Sequence, residues 1–325
     1  MRSLIDRIRL WLCSRREHAA LEKYYKIYDS ILSEVREETF KKFPVETRIL
    51  IEFINSWADL IPQNRELMLK AANSLSGVLL LYLWKLSNWV TYEILNGRYF
   101  EAIRNLRFLF EGSVFAVVIE DAIERVVYEK WGTLSGIGLK TEIFKLWSEC
   151  RQKKVKRKRG VDVNKVREIV ASFIDKHGAK LSEDKKRKYL EVYTQILSDR
   201  RLYLSVHNMV DEVLKLLNIN QDFSEKLKCI WHELSAHLHF SHVFLEAILD
   251  NPELLLLEVM DPKLFKKSLD LYFETLDLYY TVLAWRFPQL KENIRKVVEW
   301  WEQNFNKSFN LTKTFLKYME ALEEK

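Results

Sequence analysis

The chain has 325 residues, of which 48% are hydrophobic and 30% charged, with a formal net charge of +6. That balance suits a large buried core and excludes an unfolded polar chain, and the longest apolar run, Val78 to Trp84, is too short for a helical membrane span. Three widely separated cysteines, Cys13, Cys150 and Cys229, exclude a disulfide framework and point to a reducing cytoplasm.

Eight glycines and five prolines leave few helix breakers, so long helices and short loops are expected. The first stretch, MRSLIDRIRLWLCSRRE, interrupts its apolar residues with Asp6, Arg7 and Arg9 and reads as no secretion signal. Residues 2–42 carry apolar positions at helical spacing, and a second helix fills 45–60, ending near Ile61-Pro62. Two strongly apolar helices follow over 64–95 and 98–130, parted by Asn96-Gly97, a pair suited to stopping a helix. WGTLSGIGLKT, Trp131 to Thr141, gathers three glycines and reads as a loop. It lacks the Walker spacing, because Leu139 separates Gly138 from Lys140.

Helices are predicted over 141–158, stopped by Gly160, and over 162–177, closed by His177-Gly178. From Ser182 as N-cap one long helix is expected to reach Asn218, and the next to run from near Asp222 to Asp250. Asn251-Pro252 and Asp261-Pro262 each put a capping side chain before a proline at the first helical position, and helices over 262–286, 289–305 and 311–323 finish the chain. No alternating strand pattern is present. The fold class is therefore all-α, a bundle of long helices with peripheral helices. It divides into N-terminal helices (1–62), a main bundle (63–286) with a basic excursion at 131–181, and C-terminal helices (287–325).

WHELSAHLHFSH, Trp231 to His242, holds four of the seven histidines. It misses the zincin spacing: His232 and His237 are five apart, which turns one about 140° from the other around a helix. His232, Ser235, His239, His242 and Glu246 instead fall within an arc of about 80°. Such a stripe suits acid–base or metal chemistry, or simply a satisfied polar layer between helices. A matching stripe, Arg104, Arg107 and Glu111, lies among apolar residues in RNLRFLFE, and arginines so placed need an anionic or carbonyl partner. The two stripes are expected to meet as one polar cluster of Arg104, Arg107, Glu111, Ser235 and His239. The plain alternative pairs the arginines with acids at a helix surface. A short echo, LSVH at Leu204–His207 and LSAH at Leu234–His237, is too brief to mark a duplication.

RNLRFLFE together with LSAHLHFS resembles a loosely defined group of archaeal helical proteins. They carry an Arg-x-x-Arg-aromatic-x-x-Glu helix and a later Leu-Ser-x-x-Val-His-x-Ser helix. The matching residues are Arg104, Arg107, Phe108, Glu111, Leu234, Ser235, His239 and Ser241, with Leu238 in place of the valine. The resemblance covers under a tenth of the chain, and it implies a helical fold with no settled activity. RRLYLSVHN is similar to the pattern of HEPN ribonucleases, in which a helical arginine is followed after four to six residues by a histidine. By that likeness Arg200 would stabilise charge on the phosphorus and His207 would move protons, with Arg201 beside them.

The basic run RQKKVKRKRG carries seven cationic residues and no acid, so the net positive charge of the chain is local. Lys153, Lys154, Lys156, Arg157, Lys158 and Arg159 are the expected nucleic-acid contacts; the plain alternative is a solvated helix end. Arg2, Arg7, Arg9, Arg15 and Arg16 add a second basic group, and Trp11, Trp300 and Trp301 are candidate partner anchors. The sequence thus predicts a non-catalytic, cytoplasmic RNA- or ribosome-associated protein, in a ribosome-silencing or dimerising role and itself a homodimer. It predicts no cofactor, no metal and no membrane contact. The alternative is a HEPN-like, metal-independent ribonuclease using Arg200 and His207.

Overall fold

The computed structural model describes residues 28–57, 74–131, 137–157, 160–237 and 259–324. Within them the chain is all-α. The helices are α1 (28–42), α2 (Pro44–Trp57), α3 (Leu75–Leu95), α4 (Tyr99–Trp131), α5 (Ile137–Gln152), α6 (Val163–His177) and α7 (Glu183–Leu197). They continue as α8 (Val206–Leu216), α9 (Phe223–Ala236), α10 (Pro262–Arg286), α11 (Lys291–Phe305) and α12 (Asn310–Glu323). One small hairpin, β1 (Lys156–Arg157) and β2 (Gly160–Val161), interrupts them.

Three helices form the centre. α3 holds only two charged residues, Lys85 and Glu93, and a helix apolar on nearly all sides has to be covered on nearly all sides. It begins at Ser74, whose hydroxyl accepts from the Gly77 N–H, and turns into α4 through Asn96-Gly97. Gly97 sits at φ +71°, and a Cβ there would lie 2.6 Å from the Val259 carbonyl oxygen, so the turn requires glycine. The short connection makes α3 and α4 antiparallel, with Leu83 packed on Gly112 and Ser76 bonded to Glu120. α10 completes the trio. It starts at Asp261, which accepts from the backbone N–H groups of Lys263 and Leu264, with Pro262 at the first helical position. Seventeen of its 25 residues are buried.

Polar contacts fix the register of the three. Thr91 Oγ1 donates to Tyr272 OH at 3.1 Å, and Tyr279 OH donates to the Leu80 carbonyl at 2.8 Å. At the far end Glu120, 5% exposed, accepts from the Ser76 N–H and hydroxyl and pairs with Arg286 at 3.1 Å. A buried carboxylate is tolerated here because each oxygen has a donor.

The other helices wrap this centre. Phe43 stacks on Phe265 at 4.3 Å, and Phe53 of α2 packs on Trp301 at 4.2 Å. Asp277 of α10 reaches the start of α12, accepting from the N–H groups of Leu311 and Thr312. One continuous hydrophobic core therefore runs through α1 and α2, the central helices, and α11 and α12. Trp301 belongs to it with no exposed surface and is a core residue rather than a partner anchor, while Trp300 packs beside it and is half-buried. Trp11 lies outside the described residues.

The helix boundaries depart from the sequence expectation in five places. The helix expected over 64–95 begins at Leu75, capped by Ser74, and the helix expected from 141 begins at Ile137, inside the segment read as a loop. The helix expected to run through 158 ends at Gln152, because Lys153 and Lys154 turn the chain and Lys154 takes a left-handed φ of 51°. The single helix expected from Ser182 to Asn218 is broken between Leu197 and Val206. The helix expected to carry the histidine stretch to Asp250 ends at Ala236, with His237 as its C-cap.

Candidate nucleic-acid interface

The basic run forms the hairpin. Buried Val155 anchors it, its carbonyl accepting from the Asp162 N–H at 2.9 Å, while Lys156 pairs with Val161 and Arg157 with Gly160. Asp162 then caps α6, accepting from the Lys165 N–H and pairing with Arg157. The Lys165 N–H and the Arg157 guanidinium together hold its carboxyl below the usual aspartate range. Lys153, Lys154, Lys156 and Arg157 are all exposed. Lys153 leans on Glu149 at 2.8 Å, whereas Lys154 makes no ion pair among the described residues. Lys158 and Arg159 lie outside the described residues.

Lys156 links the hairpin to a second candidate segment. Its Nζ donates to the Tyr203 carbonyl at 2.8 Å, within the single turn of 3-10 helix, Arg200–Tyr203, that separates α7 from α8. Asp199 caps that turn through the Arg201 N–H and binds the Arg201 guanidinium, which also reaches Asp121 of α4 at 2.6 Å. Burial alone would raise the Asp199 carboxyl, but the Arg201 hydrogen bonds overcome it and hold the group below its ordinary range. Trp147 of α5 donates to the Leu202 carbonyl at 3.0 Å, and Tyr203 OH donates to the Leu197 carbonyl at 2.8 Å. The turn is thus clamped from three sides.

This geometry changes the reading of RRLYLSVHN. Arg201 is largely buried and doubly paired, which makes it structural, while Arg200 is exposed. Ser205 starts a fresh helix by accepting from the Asn208 N–H, so His207 sits in the first turn of α8. Arg200 and His207 therefore do not share one face of one helix. The signal for the break was the cap residues Ser198-Asp199 and Ser205, masked by apolar residues that keep helical spacing across it.

His207 meets a different partner. Its ring lies 5.5 Å from that of His232 on α9, and His232 in turn packs edge-on against Trp231. Nearby Asp211 accepts from Ser224 and pairs with Lys228 at 3.0 Å. Burial would raise its carboxyl, but Ser224, Lys228 and the neighbouring His207 hold it low.

α4 and α9 meet at Trp231, which belongs to neither of the expected stripes. Trp231 Nε1 donates to Glu111 Oε1 at 3.1 Å, and Arg107 Nε donates to the same oxygen at 2.8 Å, its guanidinium 5.9 Å from the Trp231 ring. Ser235 turns inward to the Trp231 carbonyl instead of crossing to α4, and Arg104 is exposed beside Tyr82 and Phe108. His237, expected to point away from the stripe, is buried; its Nδ1 lies 2.9 Å from the Glu233 carbonyl and so must carry the proton. His239, Ser241, His242 and Glu246 lie outside the described residues.

Among the described residues no three His, Cys, Asp or Glu side chains are grouped to hold a metal ion, and no helix is long and apolar enough to cross a membrane. The chain matches no protein-family model, no curated protein and no solved structure. Its function therefore has to be read from its own surface.

Proposed function

We propose that this protein is a non-catalytic RNA-binding protein, with ribosomal RNA as the partner class and the basic hairpin as its main binding element. The observation that carries the reading is the hydrogen bond from Lys156 to Tyr203, which joins the exposed cations of the hairpin to the turn bearing Arg200 and the start of α8. Two basic elements distant in sequence then make one surface. A two-stranded projection with Lys and Arg on it neutralises backbone phosphate without reading bases.

The test is the charge reversal K153E/K154E/K156E/R157E against single-stranded RNA and purified ribosomal subunits. For every phosphate that is no longer neutralised, the slope of log affinity against log salt is expected to fall by about 0.7 on a single strand. RNA binding indifferent to both salt and these substitutions would sink the reading. The reading includes a homodimer, and sedimentation equilibrium of the protein alone checks it; a monomer at micromolar concentration removes that part.

The second reading is a metal-independent ribonuclease built on His207 and Arg200. The approach of His207 to His232 favours it, because two adjacent imidazoles can supply a base and an acid. His207→Ala is expected to abolish RNA cleavage with binding intact under this reading. Absence of any cleavage by the unmodified protein removes it.

A further inference from the structure

Beside the hairpin, α4, α6 and α7 part to leave a cleft of about 760 Å³. Each helix contributes one arginine to its walls: Arg125, Arg167 and Arg187. Arg125 is shared with Asp121 at 2.9 Å, whereas Arg167 and Arg187 make no ion pair among the described residues. Two acids also line the cleft. Asp199 is already engaged by Arg201, which binds it through Nε at 3.0 Å, and Glu191 is exposed. The guanidinium groups are therefore incompletely neutralised by the walls that carry them.

A second, independent feature lies on the same wall. Thr194 is only 9% exposed, and its hydroxyl has no hydrogen-bond partner among the described residues. A helical threonine usually satisfies its hydroxyl on the carbonyl one turn back, as Ser198 does on Thr194 at 2.6 Å. A buried hydroxyl left without a partner is unfavourable, and a turn about the Cα–Cβ bond, bringing the hydroxyl to the cleft surface that Thr194 lines, would let an acceptor oxygen held there satisfy it. Ala122, Val126 and Leu190 complete the lining with apolar surface.

We propose that this cleft binds a nucleoside phosphate. The phosphate would lie against the three guanidinium groups with the Thr194 hydroxyl donating to it, and the base against the apolar wall. Arginine is suited to this role because its planar fork matches two phosphate oxygens at once. The volume fits one nucleotide, within the range usual for small-ligand sites. Val163 lines the cleft and lies two residues beyond the hairpin strand Gly160–Val161, so the nucleotide can be free or the phosphorylated end of an RNA chain. The site stands whether or not the hairpin binds RNA.

The test is calorimetric titration with inorganic phosphate, AMP and a short 5′-phosphorylated oligoribonucleotide. The proteins are the unmodified chain, R167A/R187A, T194V and the hairpin charge reversal. AMP is expected to bind the unmodified chain, to weaken at least about tenfold in R167A/R187A, and to weaken severalfold in T194V with its thermal midpoint kept. The hairpin reversal is expected to leave AMP binding unchanged, which separates this site from the RNA-binding reading. In the hairpin reversal, an oligoribonucleotide bound more tightly than AMP assigns the site to RNA ends, and AMP bound as tightly or better assigns it to free nucleotide. The proposal is overturned if neither ligand binds at millimolar concentration, if R167A/R187A leaves both affinities unchanged, or if inorganic phosphate binds as well as AMP.

Discussion

At the scale of single residues, the carboxylates divide by what surrounds them. Asp199 is held low by Arg201 although burial opposes it, and Glu124 is pushed up, first by burial and then by Glu120. A lowered carboxyl stabilises the fold above its unfolded pKa, and that contribution is lost as pH falls through the folded value. A raised one favours the fold below its unfolded pKa, and the advantage is lost as pH rises through the folded value. Acidification below about pH 4 is therefore expected to destabilise the unmodified chain in part through Asp199. Asp199→Asn should flatten that limb of the stability–pH curve while lowering stability at neutral pH, because the Arg201 guanidinium loses its charged partner. Urea midpoints measured from pH 3 to 7 check this, and an unchanged acid limb would count against the pairing. Residue types alone suggested where charge would matter, at Arg107, Glu111 and Arg200. They did not reveal that Arg201 is anchored on α4, since Asp121 lies eighty positions earlier in the chain.

At the scale of elements, boundaries follow capping chemistry wherever the cap and the apolar spacing agree. Asp162 and Asp261 start α6 and α10 as their sequence contexts suggest, and Asn96-Gly97 parts α3 from α4. Gly97 carries the sharpest expectation, since a side chain there is strained by φ and meets the Val259 carbonyl at 2.6 Å. Gly97→Ala is expected to cost about 2–4 kcal/mol in a urea unfolding experiment, more than a left-handed residue costs alone. A loss below about 1 kcal/mol would mean that the turn relaxes at little cost. The missed break between α7 and α8 has an equally local cause. Leu197, Leu202, Val206 and Val210 maintain an apolar rhythm across it, while Asp199 and Ser205 terminate and restart the helix. Periodicity reports which side faces the core and is blind to a turn that keeps facing it. The hairpin was hidden for the opposite reason: two-residue strands are too short to show alternation.

At the scale of the whole molecule, the C-terminal helices belong to the same core as the rest. Trp301 packs on Phe53 of α2 and lies 3.3 Å by Nε1 from Tyr280 OH of α10, while Asp277 binds the start of α12. Unfolding is therefore expected to be one cooperative transition, coincident by tryptophan fluorescence and far-ultraviolet circular dichroism. A chain truncated after Arg286 should lose most of its near-ultraviolet signal, because Asp277 loses its donors and the core around the Trp301 site is opened. A truncated protein that keeps the full-length midpoint would show α11 and α12 to be dispensable to the core.

Composition and spacing by themselves determined that this chain is helical, where most of its helices begin, and that its positive charge is concentrated in one segment. These are local properties, set by side-chain type, cap chemistry and a repeat of 3.6 residues. The tertiary structure alone decided which charges are free and which are consumed. It buried His237, engaged Arg201, and joined Trp231 to Glu111 across 120 residues. It also gathered Arg125, Arg167 and Arg187 from three helices around one cleft. Such groupings depend on how the helices pack, because each residue's charge is fixed by its type while its partners are set by the fold.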